Sequence, residues 1–325
     1  MNKKKQKKEI VKFLEVRTFG DIIGVPFQFI IQEFKLFAGT LLKYAGPFIA
    51  VMFLVSALLA DDIYNSVLMK TNTSDTITVY TIILILALML GILSVVVVTH
   101  SYITLYVRKG KGNFTKDDVG ELLKKKIWKV LGVGFIAYLL TGIGVLLFYI
   151  PGIYLGITLS FVFIIIIYEE KTVGQTISRS FQVIKGNWWK TFALILVFGM
   201  IIGAMSYVFI IPIYIIFIFA AFSGSQIGAG SVIVITLFAF LYFAAYMFFM
   251  AMQQIMIAFQ YFNISAEKDG IHLKDRIAAI NKEEEKTSEN QKTDISEKDE
   301  TTETKDNEQN RFLEEDDINR FRPKE

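Results

Sequence analysis

The sequence contains no cysteine and only two histidines, His100 and His272. The lack of cysteine excludes a disulfide framework, thiol chemistry and thiolate metal sites. Iron or zinc centres built from several histidines need more imidazoles than this chain has, which argues against desaturase-type and oxygenase-type enzymes. We therefore expect no cofactor and no metal. His100 is predicted to be a hydrogen-bonded histidine at the cytoplasmic end of a membrane span, and His272 to be solvated.

Charged residues are missing from long stretches of the chain. Residues 191–266 contain no Asp, Glu, Lys or Arg, and shorter charge-free runs occupy 130–168, 76–107 and 44–60. A helix needs about 20 apolar residues to cross a hydrocarbon core about 30 Å thick. The longest run is sufficient for two crossings, and the other three supply four more. Because 53% of the residues are hydrophobic, the chain is predicted to be an all-α, polytopic membrane protein.

The distribution of lysine and arginine predicts how these spans are oriented. Alternate loops are rich in basic residues, and the loops between them are poor in basic residues. Basic residues in short flanking loops mark the cytoplasmic side, so both termini are predicted to be cytoplasmic. The six predicted spans are 41–60, 78–99, 130–149, 153–168, 191–219 and 232–260. The fourth is short, so we expect it to tilt little or to begin within the preceding turn.

The two ends of the chain differ in charge. Residues 1–266 carry 22 basic and 12 acidic side chains, whereas 267–325 carry 12 and 19. Residues 282–311 have almost no apolar side chains, so they are predicted to be disordered. Apolar residues return near the terminus, as a short binding motif or as part of a solvated end. The predicted domains are a basic cytoplasmic N-terminus (1–18), a six-helix membrane domain (19–266), a cytoplasmic amphipathic segment (267–281) and a disordered acidic cytoplasmic tail (282–325).

Two segments of the chain resemble each other at a constant offset of 154 residues. FGDIIGVPFQFIIQEF begins at Phe19, and VGQTISRSFQVIKGNW begins at Val173. A weaker, shorter third copy lies between Val119 and Lys129. We interpret the architecture as three repeats, each an interfacial helix followed by a transmembrane hairpin; a chance match between amphipathic segments is the alternative. Pro26 predicts that the first copy starts or bends there.

The second copy has the pattern of a helix that lies at the membrane surface. Its apolar residues recur at helical spacing, and its opposite face carries basic residues. We expect Arg179 and Lys185 to contact anionic lipid head groups. Tryptophan favours the head-group level, which predicts these membrane-interface anchors: Trp128, Lys129, Trp188, Trp189 and Lys190.

Three groups of residues indicate a family. They are the entry Phe19-Gly20-Asp21-Ile22-Ile23, the stretch from Glu169-Glu170 through Ser178-Arg179-Ser180-Phe181 to Lys185-Gly186-Asn187-Trp188, and the ending around Tyr261-Phe262 and Leu273-Lys274-Asp275-Arg276-Ile277. Over about 17–280 the chain resembles bacterial integral membrane proteins related to the membrane domain of glycerophosphoryl diester phosphodiesterases, in a Bacteroidetes-type form. The resemblance implies a location in the bacterial cytoplasmic (inner) membrane. The family's catalytic residues lie in a separate soluble barrel, and since no segment here resembles it, the resemblance does not carry the phosphodiesterase activity.

Few polar residues remain as candidates for chemistry. Glu169 and Glu170 resemble part of an intramembrane protease motif, but Gly174 holds the position where that motif needs arginine, so we expect the pair to cap or orient the following helix. No charged residue marks a pathway within the spans. The last span carries a candidate polar track that either joins helices or lines a small cavity: Gln253, Gln254, Gln260 and Asn263.

These observations predict a non-enzymatic integral membrane protein that organises or assists other membrane components. Its expected partners are anionic membrane lipids and, through the acidic C-terminal tail, other membrane or cytoplasmic proteins; nucleic acid is not expected. The main alternative is a transporter or lipid-handling permease that uses the polar track and a kink at Pro212. An enzyme is the third possibility.

Overall fold

The computed structural model describes residues 11–68, 74–223 and 229–269. The described residues form helices and no strand, which confirms the predicted all-α class. The predicted tail 282–325 and all but the start of the amphipathic segment 267–281 lie outside the described residues. The α-helices are α1 (Phe19–Tyr44), α2 (Gly46–Leu68), α3 (Ser74–Lys109), α4 (Lys116–Leu147), α5 (Tyr149–Thr158), α6 (Val162–Tyr168), α7 (Val173–Ile184), α8 (Trp188–Ser223) and α9 (Ala229–Asp269), with a 3-10 turn at Leu159–Phe161 between α5 and α6.

Six helical segments are long and apolar enough to cross a membrane, by length and composition. The fourth, Tyr149–Tyr168, begins within the predicted turn. The first is α1, whereas α2 contributes a shorter apolar stretch, Gly46–Leu59. The predicted first span, 41–60, is wrong at its start because the chain breaks between helices at Ala45. Uninterrupted hydrophobicity from residue 44 onward gave no sign of this break.

Helix α1 has both of its ends beside the same end of the bundle. We call this end the basic end; it comprises the last turns of α3 and α9 and the first turns of α4. Before α1, the Arg17 backbone N–H donates to Asn263 Oδ1 at 2.7 Å. At the other end of α1, Lys43 is ion-paired with Asp117, and Tyr44 Oη donates to the Lys116 carbonyl at 3.1 Å. These contacts favour α1 lying along the basic end and α2 making the first crossing.

Helices α3 and α9 are longer than a bilayer requires. At about 1.5 Å per residue, the 36 residues of α3 span about 54 Å and the 41 residues of α9 about 62 Å, against about 30 Å of hydrocarbon. Residues 95–106 of α3 and 255–266 of α9 are buried on all sides, and so are residues 161–167. We call these three segments the buried block. By contrast, most of 75–90 in α3 is exposed, as expected of a lipid-facing surface.

The three segments of the proposed repeat begin in the same way. Thr18, Thr115 and Thr172 each precede a helix and form a capping box with the residue three positions later, which satisfies backbone N–H groups of the first turn. The helices then differ, because only α7 is short. The third copy is the start of the continuous 32-residue helix α4. The first copy is the start of α1, which begins at Phe19, before Pro26, and continues through it. The repeat as three identical units therefore stays a prediction.

The turn between α4 and α5 brings the backbones of the two helices close together. A Cβ added to Gly152 would lie 2.6 Å from the Val145 backbone nitrogen, too close for any real contact. Gly156, four residues later, would only touch a Thr141 methyl group at 3.4 Å. Gly199 and Gly203, which are also spaced four residues apart, have open space at both positions.

Replacing Gly152 with alanine should therefore destabilise the protein, because the obstacle is backbone that has to move. Forced overpacking typically costs about 1–3 kcal/mol, so we expect a clear fall in the melting temperature of the purified protein in mild detergent. Gly199→Ala is the matched control: it meets no atom and improves helix propensity by about 1 kcal/mol. A Gly152→Ala protein as stable as the wild type would contradict the close approach of α4 and α5.

Candidate functional site

Glu169 joins three parts of the chain at the basic end. Its carboxylate lies 3.0 Å from Arg179 Nε of α7 and 3.0 Å from Lys171 Nζ. It also accepts a hydrogen bond from the hydroxyl of Tyr261, a buried residue of α9. Because Arg179 lies in the middle of α7, this contact fixes the position of that helix against the buried block. The Ser180 hydroxyl, which donates to the Thr158 carbonyl, holds α7 at a second point.

Glu170 joins two further helices. Its carboxylate lies 2.9 Å from Arg108 Nη1 at the end of α3 and 3.0 Å from Lys126 Nζ of α4. Lys126 is buried, so removal of its partner would leave a buried charge without a counter-ion. Glu170 has a positive φ of 58°, a backbone conformation that L-residues other than Gly, Asn and Asp rarely adopt. This backbone conformation lets two adjacent carboxylates serve different partners.

We call these seven residues the carboxylate cluster: Glu169, Glu170, Arg108, Lys126, Lys171, Arg179 and Tyr261. Bonds from Lys126 and Arg108 lower the pKa of Glu170 from 4.5 to about 2. Burial raises the pKa of Glu169, but hydrogen bonds from Tyr261, Lys171 and Arg179 outweigh burial and leave this pKa below its ordinary value. Both carboxylates are therefore ionised at neutral pH. A carboxylate that stays charged and paired serves to hold helices together and is poorly suited to donating a proton.

A second carboxylate fixes α1. Glu33 is buried, accepts a hydrogen bond from Tyr102 Oη at 2.7 Å and lies 3.0 Å from Lys111 Nζ. Tyr102 belongs to the buried block, and Lys111 follows α3. The charge of Glu33, a buried acidic residue in an apolar helix, is thus balanced by Lys111 at the basic end.

The residues of the predicted polar track have separate partners. Gln260 Nε2 donates to Thr191 Oγ1 of α8 at 3.0 Å, and Asn263 receives the Arg17 backbone N–H. Both side chains are buried and join helices or the N-terminal segment. Gln254 instead lines a cleft, whereas Gln253 is half-buried and does not line it.

The cleft lies between α4, the α5–α6 segment and α9. Its volume is about 170 Å³. The apolar side chains on its floor are buried: Ala137, Leu159, Phe163 and Ile257. Its polar residues are at least partly exposed: Tyr138, Thr141, Ser160 and Gln254. We call this feature the polar cleft. It contains uncharged hydrogen-bonding groups and no charged group.

His100 lies inside the protein, behind this cleft. It is fully buried; its Nδ1 lies 2.9 Å from the Val96 carbonyl, and its ring centroid lies 6.3 Å from that of Phe163. The hydrogen bond was expected, but the complete burial was not. His100 Nε2 and the nearby hydroxyls of Thr99, Ser101 and Thr104 have no hydrogen-bond partner in the part of the chain that the structure describes. That part also holds no group of three His, Asp or Glu side chains placed to bind a metal.

The predicted membrane anchors occupy different environments. Trp128 and Trp189 are 81% and 75% exposed, and Lys129 is exposed beside the former. Trp188 is less exposed, because it stacks on Tyr154 and Phe192. Lys190 is half-buried. Of the two predicted lipid contacts, Lys185 is exposed, whereas Arg179 is half-buried and bonded to Glu169.

Sequence reasoning did not identify Arg108, Lys126 and Tyr261 as partners of the two glutamates. The available signal was two adjacent carboxylates at the end of a charge-free run, on the side of the molecule where cations are abundant. The sequence offers many cations as partners there, so the choice among them depends on helix packing.

The carboxylate cluster should make stability depend on pH. A folded-state pKa below the ordinary value contributes stability at pH above about 4.5, and this stability is lost as pH falls towards about 2. We expect the melting temperature in mild detergent to fall over this interval. Glu170→Gln should lower it at pH 7 and make the acid-side fall shallower, since Lys126 is then buried without a counter-ion.

The matched control for this prediction is Glu121→Gln. Glu121 is an exposed residue of α4 with no ion pair among the described residues. Its substitution should leave both the melting temperature and the pH profile unchanged. Equal behaviour of the two variants would show that the Glu170 contacts do not stabilise the fold.

Comparison with known proteins identifies the family of the chain. Neither the curated proteins nor the solved structures contain a match. A family model described as the membrane domain of glycerophosphoryl diester phosphodiesterase matches residues 135–298. This range is just over half of the chain, and it includes the polar cleft, Glu169, Glu170 and all of α7 to α9. The chain therefore belongs to the family of the membrane domain of glycerophosphoryl diester phosphodiesterase, and it is an integral membrane protein.

Proposed function

We propose that this protein is a non-enzymatic protein of a bacterial inner membrane that organises or assists other membrane components through its basic end. In this proposal the basic end faces the cytoplasm, as the distribution of lysine and arginine predicts. It binds anionic lipid head groups, and the acidic tail contacts protein partners.

One observation carries this proposal: an exposed group of lysines beside an exposed tryptophan on α4. Lys124, Lys125 and Lys129 are exposed and have no ion pair within the described ranges, and Trp128 is 81% exposed between them. A basic residue near an anionic membrane surface contributes about 1 kcal/mol, and an indole ring favours the head-group level. We call these four residues the α4 patch.

Five acidic side chains at the basic end are paired inside the protein, and Glu121, one turn before Lys125, is exposed without an ion pair among the described residues. Glu169, Glu170 and Glu33 pair with basic groups of the basic end, and Asp117 and Asp118 pair with Lys43 and Lys109. The lysines of the α4 patch therefore keep their positive charge available for an external anion. Because these carboxylates form ion pairs between helices, they support a structural role better than a catalytic one.

The polar cleft favours a second candidate function, that of a transporter or lipid-handling permease. A mostly apolar cavity with a few hydrogen-bonding groups is the kind of site at which proteins bind small ligands. In this alternative, Gln254 would contact the substrate and the rest of the predicted track would not, because only Gln254 of the track lines the cleft.

Lipid binding by the α4 patch can be measured through its tryptophan. The chain has three tryptophans, so a Trp188→Phe/Trp189→Phe protein retains Trp128 alone. In nanodiscs, brominated phosphatidylglycerol should quench its fluorescence more strongly than brominated phosphatidylcholine, because the lysines enrich the anionic lipid. Replacing Lys124, Lys125 and Lys129 with glutamine should remove this difference, whereas arginine at the same positions should keep it. Equal quenching by the two lipids before any lysine is changed would refute the proposed contact.

Partner binding can be tested by gentle purification followed by mass spectrometry. We expect the full chain to retain specific membrane or cytoplasmic proteins, and a chain that ends at residue 281 to lose them, since the acidic tail is then absent. If the full chain retains no protein but moves a solute across liposomes at a rate that Gln254→Leu abolishes and Gln253→Leu does not, the permease function is correct instead.

A further inference from the structure

We propose that the polar cleft is a binding site for a lipid with an uncharged hydroxyl and ester head, of the diacylglycerol class. This goes beyond the proposed organising function, because it assigns a specific ligand to a site away from the α4 patch, and it does not require that anything be transported.

The distance of the cleft from the charged residues of the basic end can be measured along three segments: α4, the α5–α6 segment and α9. Tyr138 lies nine residues beyond Lys129 along α4, which is about 13 Å at 1.5 Å per residue. Ser160 lies nine residues before Glu169 along the chain. Gln254 lies thirteen residues before Glu267 along α9, which is about 20 Å by the same rise. Each distance is measured from a charged residue at the basic end. The cleft therefore lies about 13 Å or more along the helices from these charged residues, beside the buried block.

The polar groups of the cleft need a partner at this depth. Gln254 is half-buried, and its amide has no hydrogen-bond partner in the described part of the chain. Lipid tails cannot supply one, and an unsatisfied polar group in hydrocarbon costs several kcal/mol. Tyr138 is 62% exposed, so the cleft is accessible from the side where lipid lies. A ligand that enters from the bilayer can thus satisfy these groups.

The chemistry of the lining selects an uncharged head. No charged residue lines the cleft, and a charge placed at this depth would be strongly disfavoured. The Gln254 amide can both donate and accept, and the hydroxyls of Tyr138, Thr141 and Ser160 can donate or accept. The Ser160 hydroxyl already donates to the Ile157 carbonyl at 2.8 Å, so its oxygen remains as an acceptor.

Diacylglycerol fits these groups by its own donors and acceptors. Its free hydroxyl can donate to Gln254 Oε1, and its ester carbonyls can accept from the Gln254 amide and the Tyr138 hydroxyl. A volume of about 170 Å³ suits the glycerol and ester groups, with the acyl chains extending along the apolar helices. Phosphatidic acid has the same chains, but its phosphate would have to lie about 13 Å below the nearest lysine along α4.

The test uses the full-length protein in nanodiscs with a photoreactive diacylglycerol that carries a diazirine beside one ester carbonyl. After illumination, mass spectrometry of peptides should place the label on residues that line the cleft. Unlabelled diacylglycerol should compete, and phosphatidic acid with the same chains should not. Gln254→Leu should reduce specific labelling about tenfold, the effect expected when a buried hydrogen bond is lost.

Gln253→Leu is the matched control, because it removes the same amide one residue away and outside the cleft; labelling should be unchanged. Tyr138→Phe removes only a hydroxyl and should also reduce labelling, which keeps the test valid if Gln254→Leu fails to fold. Labelling spread over lipid-facing helices, equal competition by phosphatidic acid, or equal labelling of the Gln254→Leu and Gln253→Leu proteins would each overturn the proposal. The Trp128 quenching experiment is independent of these outcomes.

Discussion

Helices α3 and α9 contain more uncharged length than a bilayer can cover, and the rest of the structure follows from this excess. Apolar residues beyond about 30 Å of hydrocarbon have to be covered by protein, and residues 95–106 and 255–266 are buried on all sides. Helix α1, helix α7 and the segment that contains Phe13 provide much of that cover. The Phe13 ring stacks on that of Phe259 with a centroid distance of 3.9 Å. Among the described residues, a packed core therefore lies near the basic end, whereas most of 75–90 in α3 is exposed.

The carboxylate cluster connects the helices that surround this core. Glu169 contacts α7 and α9, and Glu170 contacts α3 and α4, so two adjacent residues join four helices. Ion pairs of this kind are specific in direction, whereas apolar packing is not, and their loss would leave the buried Lys126 without a counter-ion. The cluster thus sets the arrangement of the basic end, and the α4 patch depends on that arrangement for its free lysines.

The two proposed lipid contacts, the α4 patch and the polar cleft, differ in their distance from the basic end and in the charge of the lipid that they would bind. At the basic end, lysines beside Trp128 offer positive charge to anionic head groups. Away from the charged residues, the polar cleft offers only uncharged donors and acceptors. On these two proposals, the sites would bind two lipid classes without competition, because the charge of each head group would exclude it from the other site. Such a surface suits a protein that gathers membrane components, and family membership alone would not suggest it.

The sequence by itself determined the helical class, the membrane location and the number of apolar segments, because charge-free runs and their lengths are local properties of the chain. It also indicated that Glu169 and Glu170 would orient the following helix, and Arg179 of α7 does bond Glu169. Only the tertiary structure decided which cations meet the two carboxylates, that α1 and α2 separate at Ala45, and that Gln254 faces a cleft while Gln260 joins two helices. These outcomes depend on the rotation and depth of one helix against another. A run of apolar residues contains no such information, since every face of the helix is hydrophobic.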